Sequence, residues 1–322
     1  MASMSLFAPA FAIALLCAGV MGFAIQRGAT CMVAAVDRLV VDRRPDRLVA
    51  LGEASLWVAA CLSLAALAGW NNSLPADYPV TAWTIIGGVL LGLGAAINRA
   101  CVFGAVARLG SGQVAYSATP IGFFAGCLTI QPIALAAATP ARTMASGPAF
   151  WAVLAISLPV LAWRSMRLGS AARSKMLAAH VWSPHVATAV IGIAFAIMAL
   201  AVGPWAYTDA LAQLARGMAM DSVARSVLFL GLLGGAIAGG WTAGLIRVQR
   251  PSASRVIRCF VGGLLMGWGS ILIPGGNDGL ILTGLPFLLP FAFVALGAMT
   301  ITIAAVSWAM RTPALEPAAG MR

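Results

Sequence analysis

The chain has 322 residues, of which 61% are hydrophobic and only 9% charged, and its mean hydropathy is +0.95. Roughly 25% of the residues in a soluble domain are charged, so this composition excludes a water-clothed globule and requires lipid over much of the outside. The net charge of +11 does not point to nucleic acid either, because the basic residues lie in short clusters between apolar runs and form no stripe interleaved with aromatics.

A span needs about 20 mainly apolar residues. Nine stretches qualify: 6–25, 48–70, 82–98, 114–138, 147–166, 185–203, 224–246, 257–273 and 287–310. The first has no basic segment before it and no clear small-residue cleavage site after it, so it reads as a span and not as a removable leader. Each stretch must be helical, since lipid offers backbone N–H and C=O groups no partner. The expected fold is therefore all-α: a polytopic membrane helical bundle of about nine spans, forming one membrane domain over 1–322.

Lys and Arg residues orient the bundle. The loops after odd-numbered spans hold Arg38, Arg43, Arg44, Arg47, Arg99, Arg108, Arg164, Arg167, Arg173, Lys175, Arg247, Arg250, Arg255 and Arg258, and the tail holds Arg311 and Arg322. The loops after even-numbered spans hold Arg142, Arg216 and Arg225. This asymmetry puts the odd loops and the C-terminus in the cytoplasm and the N-terminus outside.

Three segments are semi-apolar but too short to cross: Gln26–Val40, Arg99–Leu109 and Pro274–Leu285. They read as re-entrant half-helices beside a full span. The second and third belong to a repeat. GGVLLGLGAAINRAC at 87–101 aligns with GGLLMGWGSILIPGG at 262–276, sharing G-G-x-L-x-G-x-G at an offset of 175 residues with a helix break after the last glycine. The charge pattern runs the two copies in opposite senses, so the repeat is inverted: 1–140 as the first half, 141–180 as a linking span and cytoplasmic loop, 181–310 as the second half. Inverted repeats with broken helices are characteristic of transporters. The glycines taken alone also suit plain close packing, as at Gly88/Gly92, Gly235/Gly239 and Gly263/Gly267.

The six cysteines show no metal-type spacing and no disulfide framework. Cys17, Cys61, Cys127 and Cys259 read as small buried hydrophobes. Cys31 and Cys101 differ. Each follows a Gly-containing span at a break and has an arginine within four positions, Arg27 and Arg99. A thiol near a guanidinium and a helix start is polarised, and the free N–H groups there attract anions. In the third break, Pro274 ends the span, Gly275 and Gly276 expose backbone, and Asn277 and Asp278 suit helix caps or a place on a pathway. Arg108, Gly110 and Gly112 suit a C-terminal cap. His180 and His185 read as solvated. Trp57, Trp70, Trp83, Trp151, Trp163, Trp182, Trp205 and Trp308 fall near span ends, as interfacial belts do. No nucleotide, zinc or catalytic-triad motif is present, so neither an enzyme nor a cofactor is expected.

The blocks N-R-A-C-V-F-G-A-V-A-R-L-G-S-G at 98–112, A-T-P-I-G-F-F-A-G at 118–126 and P-G-G-N-D-G-L-I-L-T-G-L-P at 274–286, with G-A-T-C ending at Cys31, resemble the YeeE/YedE family of sulfur transporters. The resemblance spans nearly the whole chain. It implies a compact inverted-repeat protein importing thiosulfate or a related small sulfur anion, passed between cysteines by S–H···S hydrogen bonds. Cys31 and Cys101 match two such cysteines. Where members with a third read roughly G-G-C, this chain has Gly275-Gly276-Asn277, which leaves Asn277 as a donor or implies another sulfur species. The path would comprise Cys31, Cys101, Gly275, Gly276, Asn277 and Asp278, with Arg27 and Arg99 focusing potential or sitting at the interface. A cytoplasmic sulfurtransferase-like partner would dock on the arginines of 38–47 and 247–258. The alternative is a membrane component of sulfur relay or thiol redox chemistry, in which Cys31 and Cys101 form persulfides or a transient disulfide.

Overall fold

Residues 8–70, 77–130, 148–167, 180–217 and 222–310 are described in a computed structural model. The long helices are α1 (Pro9–Arg27), α3 (Asp46–Leu67), α4 (Ala82–Asn98), α6 (Ala118–Thr129), α7 (Pro148–Arg167), α8 (Pro184–Val202), α10 (Ser222–Thr242), α11 (Ala253–Leu272) and α13 (Pro290–Ala309). Short helices lie between them: α2 (Met32–Asp42), α5 (Val102–Gly110), α9 (Tyr207–Ala215) and an irregular α12. That last one starts at Asn277–Gly279, continues as a π-turn over Leu280–Gly284 and ends as a 3-10 turn over Leu285–Phe287.

The all-helical expectation holds among the described residues, and each expected span contains a helix. Seven helical stretches are long and apolar enough to cross a membrane, whereas Val114–Thr129 and Phe150–Met166 are shorter apolar helices. The expected span 114–138 stops at Thr129, and its remainder lies outside the described residues. The expected 224–246 ends at Thr242, where the chain turns through Gly244 at φ 66°.

The glycine pairs set the packing. Gly22 and Gly235 let α1 and α10 touch backbone to backbone, since a Cβ on either would overlap a carbonyl oxygen of the other helix. Gly263 and Gly267 do the same for α11 against Thr119 and Phe123 of α6, and Gly88 and Gly92 for α4 against Ala295 and Met299 of α13. In lipid, close approach of backbones replaces the hydrophobic drive that holds soluble helices together. These three pairs run parallel. By contrast Gly87 faces Gly269 and Gly94 faces Gly262, so α4 and α11, the two helices sharing the glycine frame, cross antiparallel. A Cβ at any of these four would lie within 2.8 Å of the facing carbonyl oxygen.

The three half-helices expected from sequence are α2, α5 and α12. A fourth, α9, follows α8 through Gly203-Pro204-Trp205-Ala206. Gly203 takes φ 94° there, a conformation open chiefly to glycine. The pattern long helix, break, short helix, long helix thus occurs four times. Partners also match: α1 packs on α8 and α10, α3 on α8, α4 on α11 and α13, and α6 on α11.

Helix α7 is tied by charge. Arg164 forms an ion pair with Glu53 of α3, and Glu53 also meets His185 Nδ1 at 2.8 Å. His185 is therefore not the solvated residue expected from sequence; the acid that partners it is 132 residues away and invisible to local reading.

Candidate functional site

Two of the breaks converge on sulfur. Cys31 is the N-cap residue of α2 and Cys101 the N-cap residue of α5. Both preceding helices end through a left-handed residue, Ala29 at φ 46° and Arg99 at φ 59°, which turns the chain sharply so that the next helix starts at the thiol. The two thiols are neighbours across the facing helix starts, and both are free. Met32 N, the first amide of α2, donates to Cys101 Sγ at 3.1 Å, so each short helix begins against the sulfur pair. Gly104 makes this possible: a Cβ there would stand 2.5 Å from Cys31 Sγ. Asn98, fully buried, fixes the second break by donating to Ala100 O at 2.8 Å and accepting from Thr119 Oγ1 at 3.1 Å.

The other two breaks converge on carboxylates. Asp278 accepts from Thr208 Oγ1 and, at 3.4 Å, from Thr208 N in the first turn of α9. Asp209, the next residue, accepts from Gly276 N at 3.4 Å at the start of α12. Each acid thus holds the start of the other's short helix. Tyr207 Oη joins the two centres by donating to Val102 O, the first residue of α5, at 2.8 Å.

Asn277 opens α12, which packs against both α5 and α9. It is 0% exposed, and neither its Nδ2 nor its Oδ1 has a partner among the described residues. An unsatisfied buried amide is costly and calls for an explanation in a ligand or water. The N-cap of this break is Gly276, so Asn277 and Asp278 occupy the first turn and do not serve as its cap.

A cavity of about 300 Å³ adjoins the carboxylates. Asp209, Arg216, Arg225, Pro274, Gly275, Trp205 and Ser270 are among its walls. Trp205 Nε1 and Ser270 Oγ, on residues at most 3% exposed, have no partner among the described residues. Trp205, expected from sequence in an interfacial belt, is instead buried in this wall. At the other end of α8 a narrow space of about 10 Å³ is bounded by Gly28, Thr30, Cys31, Arg47, Pro184 and Thr188. The wide cavity meets the chain beyond the end of α8, at Pro204; the narrow one meets its start. Cys31 lines the narrow space, and Cys101 lines neither.

The remaining expected residues fall elsewhere. Arg27 sends its guanidinium to Thr242 Oγ1 of α10 at 2.8 Å and over the Phe23 ring. Arg99 has an exposed side chain, and its carbonyl accepts from Arg108 at 3.3 Å. Neither lines the two cavities. Gly275 lines the wide one, and Gly276 lies close enough to Thr208 that a Cβ would overlap its hydroxyl. Sequence reading missed Tyr207, Thr208, Asp209, Trp205 and Ser270. The dipeptide Gly203-Pro204 was the available signal for the fourth break, but an acid on a nine-residue helix carries no motif. Among the described residues no cluster of three metal-binding side chains occurs.

The N–H and O–H donors of the wide cavity, with the Cys31 thiol at the narrow one, suit a small anion with soft sulfur atoms. A family model described as Sulphur transport matches residues 27–305. The chain is also 23% identical over 321 residues to the Thiosulfate transporter TsuA of Escherichia coli (strain K12), covering 84% of this chain and 87% of that protein.

Proposed function

The chain belongs to the sulphur transport family, and on that premise we propose that it is an inner-membrane permease for thiosulfate. The anion enters the wide cavity, where Arg216, Arg225, Trp205 and Ser270 offer charge and donors. It then passes Asn277 and moves along Cys101 and Cys31 towards Arg47. The observation that carries this reading is the pair of neighbouring free thiols at two helix starts, one of which lines the narrow cavity at the end of α8 opposite the wide one. A thiol donates weakly to sulfur or oxygen and releases its guest easily, as a conducting path requires. Asn277 takes the position of a third thiol, and its unpartnered amide supplies an N–H donor in its place.

The wide cavity faces outside and the thiols lie nearer the cytoplasm, following the positive-inside rule with the N-terminus out. Nine crossings arranged as an inverted repeat, with α7 as the link between halves 1–140 and 181–310, fit the four helix-break units and the antiparallel glycine contact of α4 with α11. The second half then supplies carboxylates where the first supplies thiols. Arginines of 38–47 and 247–258 on the cytoplasmic side offer a surface for a sulfurtransferase-like acceptor.

The test is growth of a bacterium lacking sulfate and thiosulfate uptake on thiosulfate as sole sulfur source. The wild type is expected to rescue growth and the Cys101→Ala form to fail at equal membrane abundance. No rescue by well-expressed wild type would remove thiosulfate as the substrate.

A further inference from the structure

A pair of carboxylates, one of them buried, is a strange neighbour for an anion. Asp209 lines the wide cavity together with the unpartnered Trp205 Nε1 and Ser270 Oγ, donors that await an acceptor. Asp278 is 2% exposed, and the fully buried, unpartnered Asn277 precedes it. The donors mark a place for a negative guest, yet the acids beside them repel one. Like charges in a poorly hydrated site do not both stay ionised.

We infer that Asp209 and Asp278 form a proton site, and that binding of the sulfur anion in the adjoining cavity is linked to uptake of one proton by this pair. The inference rests on the permease reading and adds to it the coupled ion. The proton comes from hydronium or buffer acid in the solution at the cavity mouth, forms an O–H bond on one carboxylate oxygen, and returns to solution when the anion leaves.

Asp209 is the better carrier. Asp278 is held by both the hydroxyl and the amide of Thr208, whereas Asp209 accepts from Gly276 N at 3.4 Å and faces the cavity. The charged and titratable groups around the pair come from every element packed on it. Arg216 ends α9 and Arg225 lies on α10, both in the cavity wall. Tyr78 lies across the same cavity, Tyr207 opens α9, Cys127 stands on α6, and Cys101 starts α5. The two arginines favour the ionised pair, and an entering dianion offsets them. Anion and proton therefore each raise the other's affinity, as reciprocal linkage requires.

The experiment uses the full-length protein in lipid nanodiscs with thiosulfate as probe, which stays a dianion across the neutral range. Calorimetric titrations are run in two buffers of different ionisation enthalpy, from mildly acidic to mildly alkaline pH. The wild type is expected to take up one proton per thiosulfate, with affinity falling about tenfold per pH unit on the alkaline side. Asp209→Asn keeps an oxygen for Gly276 N, so it is expected to fold and to bind thiosulfate with no proton uptake and a flat pH profile. Thiosulfate binding by the wild type without proton uptake would overturn the inference and leave the permease standing. So would persistent proton uptake in Asp209→Asn. Should that variant not fold, the wild-type proton count decides alone. Folded wild type that binds no thiosulfate at any pH would overturn both.

Discussion

The thiol centre and the carboxylate centre are built alike and filled differently. In each, two short helices begin against one another, and side chains from one hold the first amides of the other. Cys101 Sγ receives Met32 N in the first; Asp278 and Asp209 receive Thr208 N and Gly276 N in the second. Each needs glycine where a Cβ would intrude, Gly104 over Cys31 in the first, and Gly276 over Thr208 and Gly279 over Asp209 in the second. The filling sets the chemistry. A thiol is a weak donor and acceptor that lets a soft anion pass. A carboxylate is a strong acceptor that repels an anion unless protonated. On the proposed reading, one frame serves conduction at one centre and proton linkage at the other.

The sharpest way to separate the centres is Gly104→Val. Its side chain would collide with Cys31 Sγ and force α5 off α2. We expect uptake to fall by at least about 100-fold at every pH, with overpacking costing about 1–3 kcal/mol of stability. Radiolabelled thiosulfate uptake and thermal unfolding in detergent read these; normal uptake would mean that the thiols do not line the path. Next in size is Thr208→Val, which removes the hydroxyl that Asp278 accepts from. The expected cost is on the order of 1–2 kcal/mol, with Cys31 labelling by a small maleimide unaltered. Altered labelling would show that the centres are not separate units. The smallest effect is expected for Tyr207→Phe, which cuts the bond to Val102 O. An interhelical hydrogen bond in a membrane protein averages about 0.6 kcal/mol, so only a small drop in melting temperature is anticipated. A loss as large as that of Thr208→Val would make Tyr207 a structural keystone joining the two centres.

Much of the thiol centre was legible in the chain. Cys31 and Cys101 each stand just past a span end beside residues that break a helix, and such breaks are local events written in a few residues. The glycine pairs were legible for the same reason, and all three expected pairs mediate close helix contact. The carboxylate centre was half hidden. Asp278 lies in a conspicuous Pro-Gly-Gly break, but its partner Asp209 is 69 residues earlier on a helix with ordinary composition. Arg27 shows the converse: its place beside the Cys31 motif suggested the path, while its guanidinium goes to Thr242, 215 residues away.

Sequence by itself determined that the chain is a bundle of apolar helices, where most of them begin and end, and where three of the chain reversals fall. Hydropathy, proline, glycine and basic clusters act over one or two turns, and lipid leaves the backbone no choice but helix. Only tertiary structure decided which breaks meet. It put thiol against thiol, acid against acid, and an unpartnered Asn277 in α12, the short helix that packs on both α5 and α9. Those contacts depend on which helix faces are narrow enough to touch, and that is a property of pairs of helices, which no single stretch of the chain encodes.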